Sequence, residues 1–156
     1  MTRAVIAILL LVGLFGCANQ ASQKNIPFCP EPEVNNDPGG IKIFGSFELW
    51  LPSGVVLIEE NNIDARYWVW SSEFGEVSIA WVGEISRKLL SESKSNSHCL
   101  IINTDHEFIV SHKDGKIIAI SEPLLESGAG ILIEIELAGN YEEATALKII
   151  RSIKRM

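Results

Sequence analysis

From Phe47 onward the apolar residues recur in short alternating runs, each bounded by residues that turn the backbone. Alternation puts successive side chains on opposite faces, the period of a half-buried β-strand. Phe47, Leu49 and Leu51 alternate with Glu48 and Trp50, and Pro52-Ser53-Gly54 turns the chain into a second run from Val55 to Glu60. Asn61-Asn62 interrupts before Ala65 to Trp70, after which Val77, Ile79 and Trp81 alternate with Glu76, Ser78 and Ala80. These runs predict four strands in an antiparallel meander, with Trp81 in the main core. His98 to Asn103, Glu107 to His112, Lys116 to Ser121 and Ile131 to Ala138 predict four more, and Asp114-Gly115 suits a tight hairpin turn.

Two stretches carry a helical period instead. Glu84 to Glu92 places Ile85 and Leu89 on one face, ahead of a polar loop from Ser91 to Ser97. Near the C-terminus Ala146, Ile149, Ile150 and Ile153 form an i, i+3, i+4, i+7 stripe. Asn140 is placed to cap that helix with Glu143 three residues on, and Lys148, Arg151, Lys154 and Arg155 complement its negative end. A stripe of this kind has to be buried against a sheet face, so the expected fold class is α+β. The expected architecture is one domain over residues 41–156, an antiparallel sheet of about seven or eight strands packed by the C-terminal helix.

Ahead of the strands the pattern is different. Met1-Thr2-Arg3 is followed by an uncharged apolar run, Ala4 to Gly16, which ends at Cys17 and the polar residues beyond it. That is the layout of an export leader, and it falls short of the about 20 apolar residues that cross a bilayer as a helix. From Ala18 to Gly40 the chain turns to Asn, Gln and Ser with Pro27, Pro30, Pro32 and Pro38, the composition of a tether.

Leu14-Phe15-Gly16-Cys17 resembles the lipobox of bacterial lipoproteins, with Phe15 where the family usually has a smaller residue. The resemblance implies removal of residues 1–16, a diacylglycerol on the Cys17 sulfur, and residues 17–40 as lipidated cysteine and spacer. It also implies a membrane-held envelope protein. In Gram-negative lipoproteins the residue after the cysteine biases sorting, and Ala18 is not the aspartate that retains some of them in the inner membrane. Where the organism has an outer membrane, that is the expected address, facing the periplasm. With Cys17 given to lipid, Cys29 and Cys99 remain in a compartment where thiols oxidise, and a Cys29–Cys99 disulfide is the economical pairing. The alternative is two unpaired thiols, one of them buried in a strand.

A second resemblance rests on Phe47 to Gly54, the meander after it and Ala146 to Ile153, which together look like the PsbP-like fold. Coverage is about residues 41–156, by order of elements. The family often has an aromatic residue soon after the Pro-Gly turn, where Val55 and Val56 stand here. The resemblance implies a binding or assembly role without catalytic machinery, and it transfers no binding residue.

Composition narrows the function classes. An apolar fraction of 47% against 21% charged residues supports a packed core. A net charge of −7, one unit more acidic once Arg3 is removed, disfavours binding to nucleic acid. No G-x-S-x-G elbow, phosphate-binding loop or dinucleotide fingerprint occurs. His106-Glu107-Phe108-Ile109-Val110 lacks the second histidine of a zinc-protease helix, and its alternation suits a strand. His98, Cys99, Asp105, His106, His112 and Asp114 cluster in sequence without a recognised ligand spacing, so neither metal nor cofactor is expected. A Cys99–His106 nucleophile pair needs the thiolate that a disulfide would remove.

The tryptophans carry the binding expectation. If Phe47, Leu49 and Leu51 face the helix, Trp50 faces away, and Trp68 and Trp70 share one face of their strand with Arg66. Left open, Trp50, Trp68 and Trp70 would form an aromatic binding face; covered by a loop or the short helix, they would form a minor core. The leading expectation is therefore a non-catalytic lipoprotein that presents a sheet face to an envelope protein or cell-wall glycan. Alternatives are an inhibitor or immunity-type lipoprotein against an incoming enzyme or toxin, and a small metal-binding protein or enzyme using His98, His106 and His112.

Overall fold

The computed structural model describes residues 25–32, 39–61, 66–72, 75–82, 96, 98–121, 130–137 and 142–156. The expected leader, Cys17 and the expected helix over residues 84–92 lie outside them. The chain is mostly antiparallel sheet with one C-terminal helix among the described residues. Its strands are β1 (Gly40–Phe44), β2 (Phe47–Leu51), β3 (Val56–Asn61), β4 (Arg66–Ser72), β5 (Gly75–Val82), β6 (Cys99–Ile102), β7 (Glu107–Lys113), β8 (Lys116–Ser121), β9 (Gly130–Leu137) and β10 (Lys154–Arg155), with helix α1 (Glu143–Ser152) between the last two.

The strands form two sheets. Seven lie in the order β3-β4-β5-β9-β8-β7-β6, and β1, β2 and β10 make a second sheet with β2 in the middle. The sequence predicts a single sheet whose meander includes Phe47 to Leu51; instead β2 leaves that meander and pairs with β1 and with the chain end. In the large sheet β3-β4-β5 is one meander and β6-β7-β8-β9 another, joined where β9 runs antiparallel to β5. The hairpin between β7 and β8 turns at Asp114 and Gly115, with φ 52° and 78°, so both central residues adopt the left-handed conformation that Asp-Gly tolerates.

Cross-strand register defines the inner face of the large sheet. Trp68, Ile79, Ile133, Ala119, Val110 and Cys99 stand opposite one another in sequence across six strands, and all are buried. A second row contains Trp70, Val77, Ile135 and Ile117. Trp68 and Trp70 therefore sit on the face that packs the helix, each only 4% exposed. Phe44 fixes them from the small sheet, with ring centroids 5.2 Å from Trp68 and 5.8 Å from Trp70, both edge-on. Their cover is the small sheet, since Phe44, Phe47, Leu49 and Leu51 are buried in the same core.

Helix α1 buries Ala146, Ile149 and Ile150, as the stripe predicts, and Leu147 beside them. Its ends differ from expectation. Glu142 occupies the N-cap position without a side-chain bond, two residues beyond Asn140, which lies outside the described residues. The helix stops at Ser152, and Ile153 is extended yet completely buried. Lys154 and Arg155 therefore do not serve the helix terminus; they pair with Glu48 and Phe47 of β2, and the Lys154 ammonium meets the Glu48 carboxylate. Arg151 in the last helical turn donates instead to the carbonyls of Cys29 and Pro30, at 2.7 and 3.3 Å.

The second half of the expected tether is part of the fold at residues 27–30. Cys29 and Cys99 form a disulfide. The Cys29 N–H donates to the Leu100 carbonyl and the Leu100 N–H to the Pro27 carbonyl, both at 2.8 Å, in a parallel bridge that occupies the outer edge of β6. An otherwise open strand edge is thereby paired.

The bond links residues separated by 70 positions. Confining the unfolded chain over that distance contributes about 4 kcal/mol. Cys29→Ser with Cys99→Ser is expected to lower the unfolding free energy by about that amount in chemical denaturation; an unchanged midpoint would mean that segment 27–30 adds nothing to the fold.

Candidate functional site

Three parts of the chain converge on one cleft of about 370 Å³: the β1–β2 turn (Gly45, Ser46, Phe47), the β4–β5 pair (Arg66, Trp68, Trp81), and the β6–β7 turn (Asp105, His106) beside Arg155 of β10. Arg66 and Trp81 face each other in register at the end of the β4–β5 ladder. The Phe47 ring lies 5.3 Å from that of Trp81 and 5.8 Å from the His106 imidazole. Trp81, expected in the main core, is only partly buried and packs at its margin.

Asn103 builds the turn that carries His106. Its side-chain oxygen accepts the N–H groups of Asp105 and His106, at 3.0 and 2.7 Å, the local bonding by which Asn closes a turn on itself. Its amide nitrogen donates to the carbonyl of Ile153 at 2.7 Å. The Arg155 N–H donates to the Asp105 carboxylate at 3.0 Å, and the Met156 N–H to the Ser46 carbonyl at 2.9 Å. The chain end thus ties both turns of the cleft together.

His106 is 5% exposed, and neither ring nitrogen has a hydrogen-bond partner among the described residues. Its pKa is lowered from the usual 6.5, first by burial; Asp105 opposes this and Arg155 adds to it. The imidazole is neutral at pH 7, with one donor and one acceptor unmet. Buried polar groups in that condition are uncommon, and each costs on the order of 1–3 kcal/mol. Ser46 and Asp105 line the same cleft, yet neither side chain bonds the imidazole, so the set has no nucleophile–base hydrogen bond.

The residues that the sequence singles out are dispersed. Trp68 and Trp70 are core residues, and the Trp68 indole N–H donates to Glu60 at 3.1 Å. Trp50 is partly buried on the small sheet, with the Lys148 ammonium 3.5 Å above its ring, and its backbone N–H donates to the Ser152 hydroxyl. A Cβ at Gly39 would stand 2.7 Å from the Trp50 ring and 2.3 Å from the Leu51 carbonyl oxygen, so only glycine allows this approach. The three tryptophans do not share an open face.

The histidines also separate. His98 and His112 stack at 4.7 Å, with Nε2 atoms 4.0 and 3.4 Å from one oxygen of Glu143, at the far end of the helix from His106. These side chains are substantially exposed, where an ion pair contributes little. Cys99 is in the disulfide, which removes the thiolate needed by a Cys99–His106 pair. Asp114 is at the tip of the β7–β8 hairpin. Among the described residues no three metal-ligating side chains are arranged to hold an ion.

Lowering of the His106 pKa has a signed consequence for stability. Between the unfolded value near 6.5 and the lower folded value, the unfolded chain binds a proton that the native protein refuses, so stability falls as pH falls through that window. His106→Leu is expected to flatten this part of the stability–pH curve relative to the parent. Parallel curves from pH 7 to 5 would show that His106 titrates normally. Neither a family model nor a curated protein matches the chain.

Proposed function

We propose that the chain is a lipid-anchored envelope protein with a binding or assembly role and no catalysis of its own. The observation that carries this reading is the Cys29–Cys99 disulfide, a bond characteristic of oxidising compartments, in a chain that opens with an export-type leader. The resemblance of Leu14 to Cys17 to a lipobox supplies the anchor. With two acyl chains on Cys17, membrane binding would be firm, since each buried CH₂ contributes about 0.8 kcal/mol. The expected address is the outer membrane, facing the periplasm, where the organism has one. Binding is favoured over catalysis by the His106 cleft, which has aromatic walls and two arginines but no activated nucleophile. That cleft replaces the tryptophan face as the preferred place of contact.

An inhibitory or immunity-type role is the second reading, and the β3 edge favours it. Val56, Leu57 and Ile58 are 59%, 48% and 57% exposed on a strand at the sheet's margin, where a partner could add a strand. Deleting the gene separates the two: sensitisation of cells to an added basic wall hydrolase supports inhibition, and unchanged killing removes it.

The anchor is tested by growing cells with a labelled fatty acid. The parent protein is expected to carry label and to sediment with membranes, and Cys17→Ser to lose both. An unlabelled, freely soluble parent would overturn the proposal.

A further inference from the structure

The ligand class of the cleft follows from its lining, given the reading of this chain as a binding protein. Its walls are apolar and flat, formed by Phe47, Trp68 and Trp81. Its charged members are Arg66, Arg155 and Asp105, which leaves the lining one unit positive in a chain whose net charge is −7. The Asp105 carboxylate already accepts the Arg155 backbone N–H. His106 contributes part of its ring to the wall, while both ring nitrogens are buried away from solvent.

We infer that the cleft binds a small monocarboxylate on a flat, apolar body. The aromatic walls suit a planar ring or similarly flat framework, which gains by leaving water. A guanidinium meets a carboxylate with paired, charge-assisted hydrogen bonds, and Arg66 and Arg155 are both in place to offer them. A single net positive charge matches a monoanion; a phosphate dianion would bring a second negative charge beside Asp105. A neutral sugar brings no negative charge for the guanidinium groups to pair with. The volume of about 370 Å³ is at the small-molecule end of known ligand sites.

The test is calorimetric titration of the full chain in detergent with indole-3-acetate, and with indole-3-acetamide as its uncharged isostere. The acid is expected to bind more tightly than the amide by about tenfold, the worth of one charge-assisted hydrogen bond. Arg66→Gln is expected to remove that preference, and because Arg66 is exposed the substitution leaves the melting temperature unchanged. Inorganic phosphate is expected not to displace the acid. Equal binding of acid and amide, parent-like discrimination in Arg66→Gln, displacement by phosphate, or no binding up to the solubility limit would each overturn the inference. None of these results depends on whether Cys17 carries lipid, so fatty-acid labelling stands or falls separately.

Discussion

A seven-stranded sheet has more inner face than one short helix can cover, and the rest of this structure follows from that. At about 4.8 Å between strands, the sheet is roughly 29 Å wide. A ten-residue helix is about 15 Å long and about 10 Å across with its side chains. Helix α1 packs mainly on β2 and on β6, β8 and β9, toward the side of the large sheet away from β4. The small sheet supplies the remaining cover through Phe44 and Phe47. The helix and the small sheet are continuous through Ile153 and β10, so they act as a single lid.

The cleft lies where this lid ends. Its members come from both sheets and from the β6–β7 turn, and the C-terminal residues hold them in place through Asn103, Asp105 and Ser46. A buried imidazole without partners persists there because the turn carrying it is bonded on both sides. Arg151 in the last helical turn and the disulfide fasten residues 27–30 to the same body.

Much of the fold was legible in the sequence because it is local. Alternation located eight strands to within a residue or two, Asp114-Gly115 located a hairpin, and the isoleucine stripe located the helix. The two other strands were missed for physical reasons. β10 has only two residues, too few for a period, and β1 starts at Gly40 and exposes Ile41 and Ile43 on an edge. Alternation also cannot say which face is inward. In β4 both faces are apolar, so Trp68 and Trp70 could be read as facing away from the helix although they belong to its core. The cleft was less legible still: His106 stood out only as a histidine, and its isolation depends on Asn103 reaching Ile153, a contact across 50 positions.

The lid's attachment is tested most directly by amide hydrogen exchange at Arg155 and Met156, whose N–H groups reach Asp105 and Ser46. Both amides are expected to be protected in the parent protein. In Asn103→Ala they are expected to exchange fast while the paired amides of β5 and β9 keep their protection. Exchange at Arg155 and Met156 as rapid as in an unstructured peptide, in the parent itself, would contradict the account.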